Sequence, residues 1–211
     1  MKLIESLGYH TSVYAPLMQQ LLSNDPALSP FYTEMFSTTA STQAVSNRAT
    51  SFDQSKRNIL VEVLHKQYEH LDPDDKIGAQ IDALSASNTL TITTGHQLNL
   101  FTGPLYFWYK ILDVINKAEA MQQLDGKHQY VPVFWMASED HDFEEINHFF
   151  LGEQKVSWES DTTGAVGRMS TTGLDTVLEE LTSYWKNTEK GKELLSLFAD
   201  CFLQEGTLVK A

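Results

Sequence analysis

The segment from residue 89 to 137 constrains the fold most. It reads as a short β-branched run, LTITT (Leu90 to Thr94), a polar loop, a long amphipathic stretch from near Gly103-Pro104 to about Leu124, and an apolar run, YVPVFWMA (Tyr130 to Ala137). β-Branched residues suit a pleated strand, and proline in a helix's first turn costs no hydrogen bond. Asp125-Gly126-Lys127 closes the helix. A strand that is apolar on both faces is expected in a parallel sheet covered on both sides. Strand, helix, strand is one βαβ unit, which brings both strand C-termini to the same edge. Ligands of open α/β sheets bind at that edge. The fold class predicted is therefore α/β with a parallel-sheet core, and its candidate site lies in the two loops that leave these strands.

The flanks organise around this unit. Residues 1 to about 50 read as irregular, punctuated by Pro16, Pro26 and Pro30 and by a Ser/Thr/Ala stretch from Ser37 to Thr50. Ile59, Leu60, Val63, Leu64 and Tyr68 repeat at helical spacing between Phe52 and about His70, and Asp72-Pro73-Asp74-Asp75 ends that run. A second helix is expected from about Lys76 to Ala86. Beyond the βαβ unit, INHFFL and QKVSWES predict a hairpin around Gly152-Glu153, followed by helices near Asp175 to Trp185 and Lys190 to Leu203. This divides the chain into an N-terminal arm with helices, 1–85, and a sheet-containing core, 86–211, with a hairpin insertion near 147–170.

Charge narrows the partners. With 15 Lys+Arg against 28 Asp+Glu the formal net charge is -13, a field that repels phosphate backbones and anionic lipid surfaces. Neither nucleic acid nor membrane is an expected partner, and no stretch approaches the roughly 18 apolar residues of a membrane span. The single cysteine, Cys201, rules out an internal disulfide, and the N-terminus carries no apolar leader, so a cytoplasmic location is expected. Cys201 lies at helical spacing with Leu194, Leu195, Phe198 and Phe202 and is read as a packing residue.

Two groups of residues carry chemistry. In TGHQLNLFTGP (Thr94 to Pro104), Gly95 is expected to turn the chain out of the strand, and Gly103 to let the backbone approach a ligand at the helix start. His96 offers acid/base or charge-stabilising chemistry, while Gln97 and Asn99 can orient a polar substrate, with Thr102 beside them. Lys110, about two turns into the helix, must reach back to contribute. The alternative is that the glycines shape a turn and His96 and Asn99 cap helix ends. In ASEDHDF (Ala137 to Phe143), Glu139, Asp140, His141 and Asp142 follow directly on an apolar strand, and crowded titratable groups perturb one another in ways typical of functional sites. A solvated charge run is the bland reading.

A metal site built from Asp140, His141, Asp142 and His148, with His96, is the competing chemistry and would make the protein a hydrolase. Its spacing matches no specific metal motif. Tyr106, Phe107, Trp108 and Tyr109 are expected to be mostly core, because four successive positions face all sides of a helix.

Taken together, TGHQ, LFTGPLYFWYK, VPVFWMASEDHDFEEINH and the VGR at Val166 to Arg168 resemble the cysteine ligases of bacillithiol biosynthesis, the cysteine-adding enzymes. The resemblance reaches SPFY at Ser29 to Tyr32 and covers essentially the whole chain. It implies a Rossmann-like core similar to nucleotidyltransferases and class I aminoacyl-tRNA synthetases. It also implies ligation of the cysteine carboxyl to the amine of glucosaminyl-malate, with ATP as the activator by analogy and no metal. By the same resemblance His96, Gln97, Asp140, His141 and Asp142 are catalytic. Gly95, Asn99, Thr102, Gly103 and Lys110 hold the nucleotide, and Glu139 and Arg168 contact substrate. Family members are more than twice this length, with a coiled coil that supports a homodimer, so this chain is expected to be a truncated portion, and the alternative to a ligase is a non-catalytic fragment that needs its C-terminal half. It departs from the family pattern at His96, where many relatives have Gln, and at Ala165, where they have proline.

Overall fold

The computed structural model describes residues 14–32, 42–69, 75–204 and 206–211. The chain divides into two compact units, 1–90 with 127–129, and 91–126 with 130–211. The helix-ending run at 72–74, residues 37–41 of the Ser/Thr/Ala stretch and the first 13 residues lie outside the described residues.

The described part of the first 50 residues is largely helical, contrary to expectation: α1 (Pro16–Leu22), a 3-10 turn (Pro26–Phe31) and α2 (Thr42–Ser51). Pro16 and Pro26 start helical turns here instead of breaking them, since a first-turn residue has no amide bond to lose. The Asp25 side chain accepts the Ala27 N–H at 2.9 Å. α3 (Gln54–Tyr68) and α4 (Asp75–Ala83) complete this unit. Asp53 caps α3 by accepting the Ser55 N–H at 2.6 Å, and the buried Arg57 donates to the Leu84 carbonyl at 3.1 Å.

The second unit is Rossmann-like. β1 (Thr89–Gln97) and β2 (Gln129–Ala137) form a two-stranded parallel sheet joined through α5 (Leu105–Leu124). α5 turns Val114, Ala118 and Met121 inward, a stripe at helical spacing. Its C-terminus is tied to β2 by Tyr130, whose N–H donates to Gln122 at 3.1 Å and whose O–H donates to Asp125 at 2.7 Å. Burial first, then the Asp125 hydrogen bond, push the Tyr130 phenol well above its ordinary range.

Two expectations about burial are corrected. β2 is buried at Tyr130 and Val131, but Trp135 is 61% and Met136 47% exposed, so among the described residues no layer covers the C-terminal end of the strand. Of the aromatic run on α5, only Phe107 is half-buried; Tyr106, Trp108 and Tyr109 are exposed. With Leu105 and Leu112, Trp108 and Tyr109 line the side of α5 opposite its buried stripe.

After the second loop come α6 (Phe143–Ile146), then β3 (His148–Leu151) and β4 (Gln154–Ser157), an antiparallel hairpin that pairs His148 with Ser157 and Leu151 with Gln154. α7 (Leu174–Trp185) and α8 (Glu189–Gln204) pack together beside it. Between them lies the densest core: Val156, Trp158, Val166, Leu174 and Leu181 are essentially fully buried, with Phe198 and Phe202 from α8. Each such side chain contributes on the order of 1.5–3 kcal/mol of transfer free energy. Cys201 is half-buried and packs against this core, as expected of a small hydrophobe.

Candidate active site

Both loops are anchored in that core, most deeply by Leu100 from the first and Ile146 just after the second, each 3% exposed. β1 runs through Gly95 to Gln97, so Gly95 is not the turn the sequence suggests. It is needed for close approach, since a Cβ there would lie 3.0 Å from the Trp135 carbonyl oxygen on the neighbouring strand. The turn comes later, at Phe101 (φ 53°) and Gly103 (φ 60°). The left-handed conformation of Phe101 is held by its ring, which packs against Phe198 at 4.5 Å, Phe202 at 4.9 Å and Phe149 at 5.5 Å. Gly103 is fixed twice over, by its φ and because a Cβ would meet Asn99 at 2.9 Å.

His96 is enclosed by partners. Its Nε2 lies 2.8 Å from the Tyr106 hydroxyl, and its Nδ1 sits between the Gln97 carbonyl oxygen at 3.0 Å and the Asn99 amide nitrogen at 3.2 Å. The amide of Asn99 also donates to the Gln97 carbonyl, at 3.0 Å. Either neutral tautomer is therefore satisfied. With the proton on Nδ1 the ring donates to the carbonyl and accepts from Tyr106; with it on Nε2 the ring donates to Tyr106 and accepts from Asn99. A proton can be taken up or released at Nε2 without stranding the other nitrogen. Lys110 reaches back, as its position required, and donates to the Gly95 carbonyl at 3.2 Å.

The second loop meets the first through Gln97. Its amide nitrogen donates to Asp140 Oδ2 at 2.8 Å and to Glu145 Oε2 at 2.7 Å. The other oxygen of Asp140 accepts the backbone N–H groups of His141 at 2.7 Å and Asp142 at 3.1 Å. The Gln97 hydrogen bond first, then these backbone donors, hold the Asp140 carboxyl below its ordinary range. The 3-10 turn Val166–Arg168 is stapled to the same loop: the Val166 N–H donates to the Asp140 carbonyl at 2.7 Å and the Gly167 N–H to the Ser138 carbonyl at 3.0 Å. The contact is close enough that a Cβ on Gly167 would lie 2.6 Å from the Ser138 Cβ.

The structure thus forms two groups, His96 with Asn99 and Tyr106, and the Gln97 side chain with Asp140 and Glu145, linked through the main chain of Gln97, while Lys110 is held at the Gly95 carbonyl. Glu139, His141, Asp142, Thr102 and Arg168 are exposed around them, and Thr102 takes part through its carbonyl, which accepts the Trp108 indole N–H at 3.0 Å. Among the described residues no three His, Cys, Asp or Glu side chains gather closely enough to hold a metal ion, so the ligand set Asp140, His141, Asp142 and His148 is not assembled. Sequence reasoning missed Glu145, which no spacing rule connects to the end of β1; its one signal was its place in the first turn of α6, directly after the charged loop. A half-open, mainly apolar cavity of about 120 Å³ adjoins Gln97, lined by Leu98, Asn99, Phe107, Phe134, Met136 and Phe202 among others.

Residues 2–211 match the family described as bacillithiol biosynthesis BshC, N-terminal Rossmann-like domain. The chain is 38% identical over 208 residues to a Flavobacterium johnsoniae protein named "Putative cysteine ligase BshC", 98% of this chain and 39% of that protein. It is 40% identical over 205 residues to the protein of that name from Christiangramia forsetii, 95% of this chain and 38% of the relative. For the one from Cytophaga hutchinsonii the identity is 37% over 209 residues, 99% of this chain and 38% of the relative. The chain therefore spans about two fifths of the length of these relatives.

Proposed function

This chain belongs to the bacillithiol biosynthesis BshC family, as its N-terminal Rossmann-like domain, and from that premise we propose that it forms the catalytic edge of a cysteine ligase. The reaction is amide formation between the carboxyl of cysteine and the amine of glucosaminyl-malate. The observation that carries this reading is the meeting of the two strand-end loops, Gln97 on Asp140 at 2.8 Å with His96 alongside, in a family whose named members are cysteine ligases. His96 accepts the proton that the attacking amine must lose, at Nε2, where Tyr106 is its partner in the free state. The ionised Asp140 stabilises positive charge on that nitrogen as the C–N bond forms.

A free carboxylate is a poor acyl donor, and ATP would supply the activation. The residues fit an anion of that kind in two respects. α5 begins at Pro104 without a side-chain cap, leaving amide donors at its start. Lys110 is bonded to a carbonyl, so its charge is not spent on a carboxylate. These two groups would hold the phosphates.

The experiment is thiol-product formation from cysteine and glucosaminyl-malate. His96→Ala and Asp140→Ala are each expected to lower kcat by about 10²-fold or more; wild-type turnover in both variants would overturn the assignment. A second reading, that the domain acts together with further polypeptide, is favoured by the exposed Leu105, Trp108, Tyr109 and Leu112 face of α5. It predicts that relatives of full length turn over where the 211-residue chain does not.

A further inference from the structure

Glu145 was given no role by the sequence motifs, yet it shares a donor with Asp140. One amide nitrogen, Gln97 Nε2, has two hydrogens and two carboxylate partners, Asp140 Oδ2 at 2.8 Å and Glu145 Oε2 at 2.7 Å. Two acceptors at hydrogen-bond distance fix the rotamer and the flip of the amide, because the reversed amide would face both carboxylates with its own oxygen. The three residues come from different elements, Gln97 from the end of β1, Asp140 from the loop after β2 and Glu145 from α6, so the arrangement is a product of the fold. It is also braced from outside. The Asp140 carbonyl takes the Val166 N–H, and the next residue after Glu145, Ile146, is 3% exposed in the core.

Resting on the ligase reading above, we propose that Glu145 belongs to the site and that Gln97 is a positioning residue holding Asp140 and Glu145 together as a negatively charged pair. Two carboxylates that accept from one amide nitrogen are held on either side of it, and where no donor lies between such a pair repulsion favours their sharing a proton, which neutralises one of them. A carboxamide that gives one hydrogen to each removes that need, since its positive end lies between the two charges. Both carboxylates then stay available when the amine nitrogen bonds to the activated carbonyl carbon and its substituents make it cationic. The leaving group departs with the electron pair of its bond to that carbon, and the proton of the new ammonium passes to His96. The charge that builds in this step is positive, and a fixed negative pair needs no reorganisation to stabilise it. Gln97 thus acts through the carboxylates and not on the substrate.

The test has two arms on the same variants, Gln97→Met, Gln97→Glu and Glu145→Gln. Carbon-13 carboxyl titration of Asp140 by NMR, in the 211-residue chain, needs no turnover. Asp140 is expected to titrate at higher pH in Gln97→Met than in wild type and higher again in Gln97→Glu, and at lower pH when Glu145→Gln removes the neighbouring charge. In the kinetic arm the acid limb of the kcat/KM profile moves up in parallel in both Gln97 variants. Glu145→Gln, on the exposed first turn of α6, leaves the fold intact and lowers kcat by about 10-fold with the KM for cysteine little changed. Identical Asp140 titration in wild type and all three variants, or wild-type kcat in Glu145→Gln, overturns the proposal. Absence of thiol product both from this chain and from relatives of full length would instead sink the ligase reading, while the titration still decides whether the pair exists.

Discussion

The sheet and the hairpin-helix region of the second unit are both written in apolar sequence, yet they bury it very differently. YVPVFWMA has no charged residue, but Trp135 and Met136 at its end are exposed, as are Leu105, Trp108 and Leu112 on α5. The segment from β3 to α8 alternates apolar with polar residues and buries Val156, Trp158, Leu174 and Leu181 almost completely. How apolar a segment is says little about where stability lies. A side chain is buried only where a second layer covers it, and the β3–β4 hairpin has α7 and α8 for that purpose, whereas among the described residues no such layer covers the C-terminal end of β2. The candidate site sits on the seam. Its residues hang from the sheet's C-terminal edge, while Leu100, Ile146 and the Val166–Arg168 turn fasten its loops to the better-packed region.

The contrast can be broken most forcefully in the core. Leu181→Ala deletes a fully buried side chain and is expected to cost about 2–5 kcal/mol in denaturant unfolding; a loss under about 1 kcal/mol would mean that α7 carries no special share of the stability. Gly167→Ala tests the seam. Its Cβ must displace Ser138, so a loss of about 1–3 kcal/mol is expected, with Asp140 displaced as well. An unchanged Asp140 titration in that variant would show that the staple does not govern the site. The smallest effect belongs to the sheet side: Leu112→Lys, half exposed on the outer face of α5, should change the stability of this chain by no more than about 0.5 kcal/mol. A large loss there would show that the face is covered in solution, which would end the distinction between the two regions.

Much of the architecture was legible beforehand because it rests on local chemistry. Proline at a helix start, β-branched runs and the Gly152-Glu153 turn predicted the βαβ unit, the hairpin and the last two helices with boundaries close to those found. The irregular reading failed for the described part of the first 50 residues because proline was taken as a breaker, although it is equally suited to a first helical turn. In the site, Gln97 and Asp140 were legible as polar residues at strand ends. Tyr106 as the partner of His96, Glu145 as the second acceptor of Gln97 and Trp135 as the reason for Gly95 were not. Each depends on a separation in space that sequence spacing does not encode.

The sequence by itself determined the alternation of strand and helix, the edge at which chemistry gathers and the family to which the chain belongs, since propensity, turn chemistry and motif are properties of neighbouring residues. Only the tertiary structure decided which of the crowded acids joins the site and which of the apolar residues is core. Those outcomes depend on what lies across a gap of several ångströms: an amide within 2.8 Å of Asp140, and a covering layer over Leu181 that Trp135 lacks.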